Sequence, residues 1–570
     1  MTLGLAERQG DLLDDLTRFC DEAVAEESIY GLLHRERDRL FPDAAFADLY
    51  TDRGRRSVPP SVLACVMVLQ RLEGCSDREA VDRFTFDARW RYACGVGGWE
   101  QGPTSFVHTV LVRTRMRLRA SDDPDRVFRV SREVAAEAGL LGVKRVLDSA
   151  PLHDAVATQD TVMLIRSAIR GLLRAADADT AAELRGVLGR GDDYATAGKP
   201  ACAWDDAAAR EALIDALVRD GLAALRLLDG RRLAQPLAEA AALLATVIGQ
   251  DIEQGEDGRF RIARRVAPDR VLSTVDPEAR HGHKSSARGF DGFKGHAAAD
   301  PDSEIITGAA VGPANGGDAA MTAELLDDLV ADPQSDPQAP AAVAEPGAAQ
   351  DTAEEAAVST APEATDRLAT DGAGNDGAAG RPVVYGDAAY GSGDNLETLE
   401  RLDAEPMVKV QPATAPGGRF SKDAFTIDLA AGTITCPGKQ TVAIRARADG
   451  GGTASFGERC ATCPLQPRCT TATAGRTIKI SRHEARLAAA RARQRDPAWQ
   501  ADYRAHRPKI ERKLAHLLRR QHGGRRARMR GRQRIDQDWK LLAGAVNLAR
   551  LAALGVRHTG GRWHTAPATG

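Results

Sequence analysis

The stretch "RPVVYGDAAYGSGDNLETLERLDAEPMVKV", residues 381–410, admits few folds. An apolar run, a turn rich in Gly, Ser and Asp, an amphipathic run and the apolar "PMVKV" read as strand, turn, helix and strand. Such strands need helices packed on them. Upstream text fits the same scheme. "GVKRVLDSAPLHDA" holds a short apolar strand expected to end at Asp148. Strand-like pieces recur in "RVLSTVD", "FDGFKGHAAAD" and "EIITGAAVG", and "PANGGDAAMTAELLDDLV" reads as a turn followed by a helix. The expected core is a mixed α/β sheet flanked by helices, over 140–332 and 381–411. Asp148 and Asp387 each stand where an apolar strand ends, and in open α/β sheets sites gather at the carboxyl ends of strands.

The flanking text is helical. Residues 1–54 form an N-terminal helical segment and 55–125 a compact basic helical domain, suited to packing, dimerisation or DNA contact. The prolines of "VPPSVLACVMVLQRLEG" suit a helix N-terminus, and Ser76 to Glu79 form a capping box. Arg113, Arg115, Arg117 and Arg119 fall at period two, formally a strand signal, but the segment is assigned to helix. Asp160 caps a helix in which Val162, Ile165, Ile169, Leu172 and Leu173 share a face. It opens a helical insertion over about 155–262. Residues 331–380 carry ten acids, one base (Arg367) and no aromatic residue. Little there can be buried, so a disordered loop is expected.

The net charge of −3 conceals a second asymmetry. From Arg504 to Arg534 the chain has thirteen Lys or Arg and one acid, Glu511. A polyanion is the expected partner of such a segment. No run reaches the ~18 apolar residues of a membrane span. The start, "MTLGLAERQGDLLDDL", lacks the basic and apolar parts of a secretory signal. A cytoplasmic protein with no membrane partner is expected, and the scattered cysteines read as free thiols.

Phosphodiester chemistry with two divalent ions needs several carboxylates at one point, because Mg²⁺ prefers hard oxygen ligands. Asp148 and Asp387 suit that role. Glu511 is the natural third, with Tyr503, Arg507 and Glu511 spaced i, i+4, i+8 along one helix side. The basic residues around it, among them Lys513, Arg525, Arg526 and Arg528, would grip the DNA backbone. A capping role for either aspartate, and an ion pair between Glu511 and Arg507 or Lys513, are the alternatives. Asp154, Asp276, Asp394 and Glu484 are competing acids. In "ARHGHKS", His281, His283 and Lys284 suit a phosphate-contacting loop near the site, and Lys294 in "GFKGH" could reach it. "GSGDN" lacks the lysine of a phosphate-binding loop and reads as a tight turn and helix cap.

Cys436, Cys460, Cys463 and Cys469 lie in a Gly-rich, β-rich stretch over 412–480. Four thiolates in a domain with little core suit a structural Zn²⁺, and four reduced thiols are the alternative. The last segment, 481–555, holds helices with Glu511 and the basic stretch.

The strings "VLDSAPLHDA", "STVDPEARHGHKS", "FDGFKGHAAAD", "VGPAN", "VVYGDAAYGS" and "YRAHRPKIERKLAHL", in this order, resemble the DDE transposases of bacterial insertion sequences, nearest the eleven-eighty-two type. "VPPSVLACVMVLQRLEGCSDREAVDRFTFDARWRYACGV" resembles the helical N-terminal domain of that class. The resemblance implies an RNase H-like catalytic core with Asp148, Asp387 and Glu511 as catalytic triad and ligands of two Mg²⁺ or Mn²⁺ ions. It implies binding of terminal inverted repeats and target DNA by a homodimer, strand hydrolysis at the element's ends, and attack by the freed 3′-OH. An endonuclease or resolvase without strand transfer, and a non-catalytic zinc-containing DNA-binding regulator, are the other classes this text allows.

Overall fold

The computed structural model describes residues 15–565 apart from 52, 97–104, 155, 286–287 and 330–379. The expected disordered loop, 331–380, falls almost wholly outside the described residues. Six strands form the central sheet: β1 (Lys144–His153), β2 (Arg280–Ser285), β3 (Arg288–Ala299), β4 (Ile306–Pro313), β5 (Val383–Gly386) and β6 (Glu405–Val408). Their order is β4–β3–β1–β5–β6, with β2 pairing the first part of β3. β3 runs antiparallel to β1, β2 and β4, whereas β5 and β6 run parallel to β1. This mixed sheet with helices on both faces is RNase H-like. "RVLSTVD" forms no strand.

Successive residues of a strand face opposite sides, and β1 shows the consequence. Val146 and Leu147 are both fully buried but belong to different cores. Val146 packs in a large core shared with Ile510, Leu514, Trp539 and Leu542. Leu147 packs on the other face with Val384, Tyr390 and Leu396. Asp148 therefore shares the Val146 face, towards the helix Pro508–Leu517, and Ser149 faces the opposite side.

The expectation that the strand ends at Asp148 is corrected. β1 continues to His153, paired with β3 as far as His153 opposite Gly292. Ala150 and Leu152 are buried and sustain it. Pro151 is tolerated because its edge is not a ladder edge. The His153 N–H, two residues on and pointing the same way, bonds the Arg525 carbonyl at 2.9 Å rather than β3.

The C-terminal helix Arg532–Ala553 ties the parts together. Its Asn547 accepts from the Ile306 N–H and donates to the Ile306 carbonyl, both at 2.8 Å. Asp536 accepts from the Val311 N–H at 2.8 Å. These three bonds satisfy the outer edge of β4, which would otherwise be open to pairing. Trp539 lies against β3 at Gly295, where a Cβ would sit 2.9 Å from its ring. The helix also packs on Arg126–Glu137 and Pro60–Glu73 of the N-terminal part.

Local signals were obeyed where backbone chemistry dictates them. Pro60 opens a helix closed by Gly74 at φ 66°. Ser76 and Glu79 form the capping box, Asp160 accepts from the Met163 N–H, and Ser392 of "GSGDN" caps Gly393–Arg401. The alternating arginines lie in the helix Thr109–Ala120. The helices between Thr161 and Asp251 have a separate core around Ile165, Leu172, Leu217 and Val247.

Candidate active site

Asp148 sits in β1 and Asp387 directly follows β5, the neighbouring parallel strand. Glu511 comes from the helix Pro508–Leu517, which packs over β1. That helix follows Pro497–His506 almost without a break. Pro508 lacks an N–H but suits a first helical position, and Arg507 between the two keeps helical angles (φ −55°, ψ −40°). The i, i+4, i+8 relation of Tyr503, Arg507 and Glu511 therefore persists.

One guanidinium joins all three acids. Arg507 Nη2 is 3.1 Å from Asp148 Oδ2 and 3.8 Å from Asp387 Oδ2, and Arg507 Nη1 donates to Glu511 Oε1 at 3.3 Å. The two aspartate oxygens consequently lie within about 7 Å of each other, a span two ions ~4 Å apart can bridge. Arg507 is only 6% exposed, and among the described residues its Nε has no hydrogen-bond partner. The carboxylates grade outward, with side-chain exposures of 15% for Asp148, 45% for Asp387 and 65% for Glu511. Burial raises the Asp148 carboxyl above its ordinary range, with Arg507 and Lys284 opposing and Asp387 reinforcing the shift. Tyr503 is pushed up to about 12, chiefly by burial. It remains a phenol and donates to the Gly386 carbonyl at 3.1 Å, next to Asp387. Its ring stacks on Trp499, and Lys409 Nζ lies 4.8 Å from its centre.

On the other face of β1 lies a polar cluster that sequence reasoning missed. Asp318 accepts from Ser149 Oγ at 2.6 Å and from Lys294 Nζ at 2.7 Å, and Lys294 also donates to the Gly316 carbonyl. Burial pushes the Asp318 carboxyl up, but the bonds from Lys294 and Ser149 outweigh it and hold the carboxyl below its usual range. Its stabilising contribution is thus complete above the unfolded carboxylate pKa of about 4 and fades as pH falls below that. Burial drives His296, nearby, down to about 4, so it is neutral at pH 7. Tyr390 is fully buried within electrostatic reach of Asp318, Asp148 and Asp387, and among the described residues its hydroxyl has no hydrogen-bond partner. No sequence motif marks Asp318; the pairing of β1, β3 and β4 brings its partners together. Replacing Lys294 with Met should destabilise the chain by about 3 kcal/mol, because it strands a buried carboxylate. Adding Asp318→Asn should recover most of that loss. Urea unfolding of both variants measures it, and a single variant as stable as wild type would contradict it.

The other named residues divide by exposure. Lys513 is buried beside Glu304 at 3.8 Å, and desolvation lowers it to about 8. Tyr503, Arg507 and Lys513 therefore point inward. Lys284, Arg525, Arg526 and Arg528 are exposed. Lys284 and His283 lie on β2, a strand rather than a loop, where His281 Nδ1 is 2.7 Å from Asp291. Three of the competing acids have partners away from the triad: Asp276 accepts from the Gly531 N–H, Asp394 pairs with Arg482 and His483, and Glu484 with Lys422 and Arg491. Asp154 accepts from the Val156 N–H beyond the end of β1.

Cys436, Cys460, Cys463 and Cys469 line one small pocket beside two three-stranded sheets. Its small core includes Phe425, Ile434, Phe456 and Ile478. Among the described residues, no three His, Cys, Asp or Glu side chains are arranged to hold a metal ion as they stand. At the triad the physical reason is visible: the Arg507 guanidinium lies between the carboxylates. No described helix is long and apolar enough to cross a membrane.

Two family models match this chain. One, described as "Transposase DDE domain", matches residues 435–552. The other, described as "Transposase domain (DUF772)", matches residues 18–117. The chain carries transposase domains. Its likeness is to the DDE transposases of insertion sequences, and the DDE match contains Glu511, the four cysteines and the basic segment. β1 and β5, with the two aspartates, lie outside both matches. No curated protein and no solved structure matches the chain.

Proposed function

We propose that this transposase-like chain binds the terminal inverted repeats of its element, cleaves the phosphodiester at each end with divalent-metal assistance, and joins the freed 3′-OH to target DNA. The single observation behind this reading is the meeting of Asp148, Asp387 and Glu511 on one guanidinium. Three acids up to 363 residues apart have little structural reason to share one cation. Cleaving DNA beside them gives one, and the transposase matches supply the class of substrate.

The residues fit the metal that this chemistry requires. The donors are carboxylate oxygens, the preferred ligands of Mg²⁺ and Mn²⁺, and Arg507 supplies positive charge where cations would stand. Asp148, Asp387 and Glu511 would hold two ions. When bound, such ions activate the attacking oxygen and stabilise the leaving one. The chain's own groups do the rest. The paired strands fix Asp148 and Asp387 side by side, and the bond from Tyr503 to the Gly386 carbonyl fixes the helix over them. The exposed arginines 525, 526 and 528 hold the phosphate backbone. A homodimer acting on the paired ends, and Zn²⁺ held by the four cysteines, are parts of the same proposal.

Incubating the full chain with a labelled duplex of the element's end, with Mg²⁺ or EDTA, tests cleavage. A nick at the element boundary that needs Mg²⁺, followed by joining to a target plasmid, is the expected result. Nicking without joining would point to an endonuclease or resolvase, and no nicking would end the proposal. For zinc, metal analysis of purified protein should give one ion per chain. Cys463→Ser should lose that ion and unfold the 412–480 segment at lower temperature. Metal-free protein that melts like wild type would remove zinc from the account.

A further inference from the structure

Between the helix Thr109–Ala120 and the segment Arg528–Arg534 runs an open groove of about 1240 Å³. Its two walls come from different matched regions, since the helix lies largely within residues 18–117 and the segment within 435–552. The floor is apolar and partly bare, with Met116 55% and Val112 39% exposed. Arg119, Arg528, Arg530 and Arg534 form the rim. Its two acids are already engaged: Asp77 by Arg115 at 2.5 Å and Asp538 by Arg71 at 3.1 Å. Among the described residues, none of the four rim arginines has a carboxylate within 4 Å. Arg119 bonds only the Gln537 amide oxygen, and Arg528 the Cys75 carbonyl. Burial lowers the proton affinity of Arg119, and the adjacent charges of Arg534 and Arg115 lower it further. Such crowding is relieved by an anion.

The groove also has a fixed place relative to the triad. The Arg525 carbonyl and Ala527 N–H bond the two backbone groups of His153, each at 2.9 Å. His153 lies five residues beyond Asp148 on the same strand, roughly 17 Å at ~3.3 Å per residue. That is about five base pairs of B-DNA.

We propose that this groove, built jointly by the N-terminal domain and the basic segment, holds the sugar–phosphate backbone of the duplex about five or more base pairs inside the cleavage point. The inference rests on the proposed function and adds to it a second DNA contact, made by a domain that carries none of the three acids. The rim arginines face phosphates, and the apolar floor faces deoxyribose. Clamping the duplex from both domains at once sets the distance from the bound sequence to the scissile bond.

The test uses the full chain, a 30-base-pair duplex of the element's end, a scrambled duplex of equal length, and an end duplex cut off about five base pairs inside the cleavage point. Binding is read by fluorescence anisotropy at several salt concentrations. Arg530→Ala with Arg534→Ala should weaken binding of the 30-mers by about tenfold or more and flatten the salt dependence by about 1.8 units, two phosphate contacts' worth. Arg119→Gln, on the opposite wall, should produce a smaller loss of the same kind. The truncated duplex should bind wild type and variants alike, and Arg530→Lys with Arg534→Lys should keep most of the affinity. Equal binding of the 30-mers by wild type and the Ala pair overturns the inference. So does an equal loss on long and truncated duplexes, or an Arg119→Gln variant that binds as wild type. Binding of polyglutamate in preference to duplex would assign the groove to an acidic protein and also overturn it. The two readings fail separately. Rim variants that lose duplex binding while wild type nicks nothing leave the groove standing and remove the transposase reading. Wild-type nicking with unaltered binding by the rim variants does the reverse.

Discussion

Replacing Glu511 with Gln should abolish nicking of an end duplex while leaving a folded chain that binds DNA. Glu511 is the most exposed of the three acids, and its one polar contact within the triad is the 3.3 Å bond to Arg507. An exposed change of this kind costs stability within about 0.5 kcal/mol. Loss of one ligand from a two-ion site removes several kcal/mol of transition-state stabilisation, so the rate should fall roughly a thousandfold or more. DNA binding should be unchanged or slightly tighter, since one charge that repels phosphate is gone. Nicking kinetics, thermal melting and a binding titration on one preparation separate these effects. A Gln variant that nicks at the wild-type rate would reduce Glu511 to a helix ion pair.

Replacing Arg507 with Gln should do the opposite to stability. In metal-free protein the Arg507 guanidinium is the cation that the three carboxylates share, and Asp148 among them is largely buried. Removing the buried partner of such a cluster costs about 3–5 kcal/mol. Divalent cations compete with Arg507 for the same oxygens. The variant should therefore bind Mn²⁺ more tightly than wild type and recover most of its lost stability when Mn²⁺ is added. Melting curves with and without Mn²⁺, and titration followed by the manganese paramagnetic signal, measure both effects. Equal melting temperatures without metal, or weaker Mn²⁺ binding by the variant, would contradict this role for Arg507.

The sheet was readable, and the three candidate acids could be named, because each rests on local text. Asp387 follows four apolar residues and precedes a capped helix, and Glu511 stands alone among cations. Pairing across the chain was not readable. The partners of Asp318 are Ser149 and Lys294, 169 and 24 residues away, and only the sheet register unites them. Periodicity places Tyr503, Arg507 and Glu511 along one helix side, but it cannot tell an inward guanidinium from one facing a duplex. The extension of β1 past Asp148 was hidden by Pro151, which usually breaks a strand and here faces an edge with no ladder to break. The Arg119–Arg534 groove was hidden because its walls are more than 400 residues apart.

The most direct test of the triad as a metal site is anomalous scattering from crystals of the full chain soaked in Mn²⁺. Manganese peaks within coordinating distance of Asp148, Asp387 and Glu511, with the Arg507 guanidinium moved off them, are the predicted result. Saturating Mn²⁺ with no peak at these carboxylates, and Arg507 still bound to all three, would contradict it.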